Sequence, residues 1–295
     1  MDTSSPRRIV VTGSNGQLGR QVVQTLVNQG HDVLGLDRTA PPTATHRSWV
    51  ADITQPGVIY QALDGADAVV HLAAWIAPDR TDDVTTYTDN VAMTYAVLHA
   101  ARACGLRRAV LASSIAAYGF LYHPAPVAPQ VLPVAEDHPL APVDPYGLSK
   151  VAGEQLGEAF ARDALSAISL RLPGINYDPA FVRIKSLMSD PGFRKPGFWS
   201  YVDVRDAVTA VCLALDADLE GHRAYNIAAP TSNMREPTAA LAARYFPDVP
   251  IRADSDTERW SGIDSGRARR ELGFTATHVW ESVPEGAESG GRKIG

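Results

Sequence analysis

At 295 residues, 45% hydrophobic and 20% charged, the chain is large enough to bury a core and lacks the composition of a disordered protein. Its net charge is −6 and its basic residues form no run longer than a pair such as Arg7-Arg8, Arg107-Arg108 or Arg269-Arg270, which argues against nucleic-acid binding, where a basic patch must neutralise phosphates. The two cysteines, Cys104 and Cys212, are too few for a disulfide framework and lack zinc-site spacing, so both read as small buried hydrophobes.

In chain order, Met1–Arg8 is followed by only a strand-sized apolar run, Ile9-Val10-Val11, so no signal peptide is expected. No window approaches the ~20 apolar residues of a membrane span, and a cytoplasmic protein is expected. The run "RIVVTG" leads into "QLGRQVVQTLVNQG", where Leu18, Val22, Val23, Leu26 and Val27 recur at helical spacing before Gly30. The same alternation of short apolar run and helical pattern returns in "HDVLGLD", in "DAVVHLAA" followed by "TDNVAMTYAVLHAARACG", in "RRAVLASS", and in "YGLSKVAGEQLGEAFARDA" followed by "SAISLRL". Continuous apolar strands separated by helices predict a parallel sheet covered on both faces.

The expected fold is therefore α/β, a Rossmann-type doubly wound parallel sheet, with a small discontinuous C-terminal lobe for substrate. Residues 1–172 form the dinucleotide-binding domain, to which 199–230 return through "YVDVRDAVTAVCLALDAD" and "RAYNIAAP". Residues 173–198 and 231–285 form the lobe. The Gly-rich, charged stretch 286–295 reads as a flexible tail.

Three groups of residues suggest chemistry. First, "TGSNGQLG" puts Gly13, Gly16 and Gly19 at three-residue intervals between the first strand and helix. There the backbone can turn tightly and approach a pyrophosphate at a helix N-terminus. Asp37 closes the second strand at roughly the ~20-residue spacing of a ribose-binding carboxylate, whose charge disfavours a 2′-phosphate. That favours NAD, although Arg38 beside it leaves NADP possible. Second, Asp52 in "WVADIT" ends the third strand and either meets adenine or caps the next helix. Third, "DPYGLSK" starts a helix at Pro145 and places Tyr146 and Lys150 four residues apart on one face.

His71 reads as a core histidine, and Trp75 either borders the substrate or packs. Phe198, Trp199 and Tyr201 read as packing aromatics, and His99, His123 and His138 share no metal-ligand spacing. The prolines from Pro124 to Pro145 make a stiff segment that is either a flap beside the substrate or a connector.

Together, TGxxGxxG, Asp37, Asp52-Ile53, "HLAAW", "SSIAAYG" and Tyr146-x-x-x-Lys150 make the chain resemble the extended short-chain dehydrogenase/reductase superfamily, in its NAD-dependent epimerase/dehydratase branch. "WSYVDVRDAVTA", "YNIAAP" and "GIDSGRARRELGF" extend the resemblance through the C-terminal third.

The resemblance implies that Gly13, Gly16 and Gly19 hold the pyrophosphate with backbone amides of Asn15, Gln17 and Leu18, that Asp37 and Arg38 meet the adenosine ribose, and that Asp52 and Ile53 meet adenine. Leu72, Ala73, Ala74 and Pro173 then line the nicotinamide half, with Tyr146 and Lys150 also touching the cofactor. Ser114, Tyr146, Lys150 and Asn90 are the implied catalytic residues, and Trp75, Ser113, Ser114 and Gly174 face substrate.

The implied activity is hydride transfer at a hydroxyl-bearing carbon of a sugar or sugar-derived substrate. The alternatives are a nucleotide-sugar 4-epimerase or dehydratase with tightly bound NAD, and a non-catalytic NAD(P) sensor or scaffold. In the mechanism so implied, Lys150 and the oxidised cofactor lower the Tyr146 pKa toward working pH. The "TDNVAMTYAVLHAAR" helix and the helix carrying Tyr146 imply a homodimer.

Two departures stand out. The family pattern Arg-x-x-Asn-Val-Tyr-Gly-Pro here reads "RLPGINYDP", with Gly174 at the asparagine position and Asp178 where proline is usual. The segment between that strand and "WSYVDV" is also short, which points to a substrate without a nucleoside diphosphate, as in the aldose and uronate dehydrogenases.

Overall fold

A computed structural model describes residues 6–41, 43, 46–162, 164–252 and 256–284, so the expected tail at 286–295 lies outside the described residues. The first half of the chain runs β1 (Arg8–Thr12), α1 (Gln17–Asn28), β2 (Asp32–Asp37), β3 (Arg47–Val50), α2 (Pro56–Leu63), β4 (Ala68–His71), α3 (Asp83–Ala103) and β5 (Arg108–Ser114). It continues through α4 (Pro145–Phe160), β6 (Ser166–Leu172), β7 (Ile175–Asn176), α5 (Val182–Ser186) and α6 (Pro191–Arg194). The last elements are β8 (Val202–Asp203), α7 (Val204–Asp216), β9 (His222–Asn226), α8 (Thr238–Tyr245) and α9 (Gly266–Leu272).

Seven strands form one parallel sheet in the order β3-β2-β1-β4-β5-β6-β9. Side chains alternate across it, as the strand period requires. Ile9 and Val11 of β1 pack with Val22 and Leu26 of α1 and Val208 and Val211 of α7, while Val10 faces Val97 and Leu98 of α3. The chain leaves β1 toward β2 and β3, then returns to build β4, β5 and β6 on the other side. That reversal opens a crevice at the carboxyl ends of β1 and β4, where doubly wound sheets bind ligands.

β7 and β8 pair as a separate two-stranded ribbon that leads into the lobe. Trp199, Phe198, Leu241, Phe246 and Trp260 form the lobe core, joined by Leu132 and Val134 from the proline-rich segment. Isolated bridges from Leu132 to Ile251 and from Val134 to Ile263 fix that segment to the lobe. Phe198, Trp199 and Tyr201 are fully buried.

The lobe departs from the expected division at two places. Ala268 and Leu272 of α9, with Phe274 and Ala276, belong to the sheet-side core, and the Tyr225 hydroxyl of β9 donates to Glu271 at 2.7 Å. The apolar face of α9 closes the flank of β9 and α7, so 266–276 pack with the sheet rather than with the lobe core. Leu132 and Val134 make the converse move, into the lobe. The cysteines also differ from expectation, since both are only half-buried.

Candidate active site

The glycine loop is built by backbone contact. Gly13 has φ +68°, and a Cβ there would lie 2.7 Å from the Ala73 nitrogen. A Cβ on Gly19 would lie 2.0 Å from the Gly13 carbonyl oxygen, so only glycine lets α1 start this close to β1 and β4. Gly16 is the N-cap of the 12-residue α1 and no side chain caps it. The first amides of α1, from Gln17 onward, therefore face the crevice unsatisfied, the arrangement that suits a pyrophosphate. Asn15 differs from expectation: its amide already donates to Asp37 Oδ2 at 3.0 Å, and its side chain donates to the Thr39 carbonyl, so it braces the loop instead of offering an amide to a ligand.

The same Asp37 carboxylate accepts from the Thr39 amide and hydroxyl, each at 3.1 Å, which fixes its orientation at the end of β2. The Arg38 guanidinium lies 4.4 Å above the Trp75 ring. β3 ends at Val50, two residues before Asp52, which forms a turn with the Thr54 amide at 3.0 Å and hydroxyl at 2.8 Å. These bonds, then Arg38, hold its carboxyl below the usual range. Gln55 rather than Asp52 is the N-cap of α2, so the helix-capping reading does not hold.

At the other end of the crevice, Asp144 caps α4 through the Gly147 amide at 2.7 Å and Pro145 occupies the first turn. This start delivers Tyr146 and Lys150 beside the end of β5. Ser114 accepts from the Ala116 amide at 3.1 Å and lies close enough to the Tyr146 hydroxyl to pull its pKa down. Lys150 Nζ donates to the Ala112 carbonyl at 2.8 Å and sits 5.4 Å from the Tyr146 ring centroid.

Burial raises the Tyr146 pKa well above that of a free phenol, with Ser114 pulling it down and Tyr122 and Asp144 adding to the rise. The expected lowering by Lys150 is not among these causes. The protein surroundings alone keep the phenol protonated. Burial also lowers Lys150 to about 8, opposed by Glu154. His71 is a core residue, bonded to Thr12 at 2.7 Å and Thr94 at 3.2 Å, and burial drops it to about 3, so it is neutral.

Both ends open into one cleft of about 920 Å³, lined by Gly13, Gly16, Asp37, Asp52, Ile53 and Leu72 at one end and by Ser114, Tyr146, Lys150 and Pro173 at the other. Gln17, Leu18, Gly19, Arg38, Ala73, Ala74, Trp75, Ser113 and Gly174 also line it. Two expected site residues have their side-chain groups engaged elsewhere. The Asn90 amide accepts from Trp75 N at 2.8 Å and donates to Trp75 O at 3.0 Å and Ser149 Oγ at 3.1 Å. It positions the wall and α4 rather than touching a reactant. Ser113 donates to buried Glu154 at 2.6 Å.

The cleft also uses residues the motifs did not single out. Tyr122 packs edge-on against Tyr146 at 6.2 Å, and Tyr177, Leu121, Ile76 and Arg80 line the same end. Their one sequence signal was proximity to a motif, "HLAAW" for Ile76 and Arg80, "SSIAAYG" for Leu121 and Tyr122, and "RLPG" for Tyr177, which does not by itself give a side chain a direction. Among the described residues, no group of three or more His, Cys, Asp or Glu is arranged to hold a metal.

Comparison with known proteins agrees with this geometry. The model of the NAD dependent epimerase/dehydratase family matches residues 9–175. The chain belongs to that family. It is 35% identical over 178 residues to an L-arabinose 1-dehydrogenase (NAD(P)(+)) of Haloferax volcanii, covering 56% of this chain and 66% of that protein. It is 27% identical to a UDP-glucose 4-epimerase of Corynebacterium glutamicum, covering 92% of each. For the Haloferax enzyme and two further UDP-glucose 4-epimerases, from Lactobacillus helveticus and Streptomyces lividans, the match spans 66%, 46% and 50% of the relative's length.

Among solved structures, a short-chain dehydrogenase/reductase superfamily protein of Agrobacterium tumefaciens with bound NAD aligns with a TM-score of 0.72 and 28% identity, covering 94% of both chains. MoeE5 in complex with UDP-glucuronic acid and NAD aligns with a TM-score of 0.70 and 26% identity, covering 94% of this chain and 96% of that one. The Rossmann-type fold of this family is thus the fold of this chain.

Proposed function

We propose that the protein is an NAD-dependent oxidoreductase acting at a hydroxyl-bearing carbon of a sugar or sugar-derived substrate through Ser114, Tyr146 and Lys150. The observation that carries this reading is that one cleft joins the glycine loop and Asp37 to the Ser114–Tyr146–Lys150 group. A glycine cradle that a Cβ would fill, an uncapped helix N-terminus and an oriented carboxylate fit a dinucleotide. Bound there, NAD supplies a hydride acceptor and a positive charge. The carboxylate of Asp37 suits an unphosphorylated ribose, and Arg38 is engaged with Trp75 rather than directed at a 2′-phosphate, which favours NAD over NADP.

In this reading Tyr146, as the phenolate, takes the proton of the substrate hydroxyl. Ser114 donates to the substrate oxygen, a bond that strengthens as that oxygen gains negative charge. Lys150 is tied to Ala112 with its Nζ 5.4 Å from the Tyr146 ring centroid, and the positive charge that NAD would bring is what favours the phenolate in this reading. Trp75, Ile76, Leu121, Tyr122 and Tyr177 shield the reacting carbon from water.

The stretch that joins β7, ending at Asn176, to β8, starting at Val202, is short. This favours a free sugar or sugar acid. A second reading, a nucleotide-sugar epimerase or dehydratase, has support in the 92% mutual coverage with the Corynebacterium epimerase. The substrate is tested by following NADH absorbance with aldoses, uronates and UDP-sugars. NADH formation from unactivated sugars supports the first reading. Its absence, with interconversion of UDP-sugars, replaces the first with the second.

We read the protein as a cytoplasmic homodimer formed through α3 and α4, whose Val84, Tyr87, Tyr95 and Leu148 are exposed. No helix of the described residues is long and apolar enough to cross a membrane.

A further inference from the structure

Arg38 follows β2 and Trp75 follows β4, the two strands that flank β1. Strands lie about 4.8 Å apart, so these residues start roughly 10 Å from each other, on either side of the glycine loop. Their side chains nevertheless meet, with the guanidinium carbon 4.4 Å from the ring centroid.

One partner is rigid. Trp75 is held by its backbone N–H and C=O to Asn90 at 2.8 and 3.0 Å, and by its indole N–H to Asp89 at 2.9 Å. The other is an exposed arginine at a bend after β2, on a long side chain with several rotatable bonds. Both line the cleft, and the contact joins residues that follow the strands on either side of β1.

We propose that Arg38 and Trp75 form a strap across the dinucleotide cleft, which parts to admit the cofactor and closes again over its middle. This rests on the reading of the cleft as an NAD site. A dinucleotide that reaches from Asp37 to Tyr146 passes the end of β1, beneath the strap. The positive charge of the guanidinium would add to the retention of an anionic dinucleotide. The fixed indole sets where the arginine returns, and Asn90 and Asp89 are positioning residues that hold the indole. Arg38 in this role grips NAD and NADP alike, in contrast to an arginine that recognises a 2′-phosphate.

The test is the dissociation rate of NADH from the full-length protein, followed by stopped-flow fluorescence after displacement with excess NAD. Arg38→Ala and Trp75→Ala should each release NADH faster, by roughly three- to thirty-fold, the range spanned by exposed to desolvated cation–π contacts. Trp75→Phe, which keeps a ring face, should stay within about three-fold of wild type. The Arg38→Ala/Trp75→Ala double variant should release no faster than the quicker single variant, because both remove one contact.

Release of NADPH should accelerate to the same extent as that of NADH. Unchanged rates, fully multiplicative single effects, or acceleration confined to NADPH would each overturn the strap while leaving the NAD site intact. A wild-type protein that binds no NADH would overturn the site and the strap together.

Discussion

Replacing Lys150 with methionine should stabilise the dinucleotide-free protein while abolishing turnover. Burial drives the ammonium down from 10.5 to about 8, against the pull of Glu154. At 1.36 kcal/mol per pKa unit, that gap corresponds to about 3 kcal/mol of unfavourable burial. The side chain is only half-buried along the cleft, so solvent screens part of it. Methionine also leaves the Ala112 carbonyl without its 2.8 Å donor, a loss of about 1 to 3 kcal/mol. The net expectation is a gain of about 1 kcal/mol, or roughly 2–4 °C in Tm near neutral pH.

The sign with pH follows from the depressed value. Below about pH 8 the lysine is charged in both folded and unfolded states and wild type carries the whole cost. Between about 8 and 10.5 the unfolded chain binds more protons, so wild-type stability rises with pH and the advantage of Lys150→Met shrinks. Thermal melts of both proteins at pH 7 and pH 9.5, alongside NADH-linked rates, check this. A variant that melts below wild type at pH 7, or keeps its full advantage at pH 9.5, refutes the argument that burial of this charge is a cost the fold carries.

Tyr146→Phe should cut turnover by about 100-fold or more while dinucleotide titration by fluorescence still shows binding, since only the proton-transfer group is removed. Gly19→Ala should remove NADH binding at concentrations that saturate wild type, because the new Cβ would lie 2.0 Å from the Gly13 carbonyl oxygen. Arg171→Met leaves the Glu154 carboxylate buried without its 2.7 Å and 2.9 Å partners and should cost about 3–5 kcal/mol in denaturant melts. For His71, lowered from 6.5 to about 3, the unfolded chain binds the extra proton in that window, so stability falls as pH falls through it. His71→Asn should flatten the acid side of a stability–pH curve measured from pH 6.5 to pH 4.

The sheet was legible in the sequence because its strands are buried on both faces: Ile9-Val10-Val11 and Val69-Val70 have no polar position to blur the period. The glycine loop was legible because its contacts are backbone to backbone, and only glycine permits them. Asp37 was legible from spacing, yet the capture of the Asn15 amide by that carboxylate was not, since it depends on the turn at Thr39. Lobe boundaries failed for a related reason. Ala268 and Leu272 have the periodicity of any short helix, and only the open flank of β9 decides which core they join. Tyr122 and Tyr177 are set by irregular backbone, for which hydrophobic spacing carries no directional information.

The polar interior behind the catalytic strand shows the same limit more sharply. Tyr146, Lys150 and Glu154 stand at successive four-residue steps, so α4 presents three polar groups along the face that a packed helix would fill with leucine. Glu154 is held by Arg171 through two contacts, at 2.7 and 2.9 Å, and accepts from Ser113 at 2.6 Å. Arg171 in turn donates to Tyr118 at 2.9 Å, and Tyr118 to Asn226 at 2.8 Å. Each of these groups is satisfied, which a buried polar network requires if it is not to destabilise the fold.

An apolar set of the same volume would hold α4 to β5 and β6 as well or better. What the polar set adds is direction: it fixes the end of β5 from behind while Lys150 fixes it from the cleft side through Ala112. Ser114 then follows directly on two anchored residues, Ala112 and Ser113, and lies beside Tyr146. A face of α4 that apolar packing would have built more simply is explained by the need to hold that serine and that phenol in register.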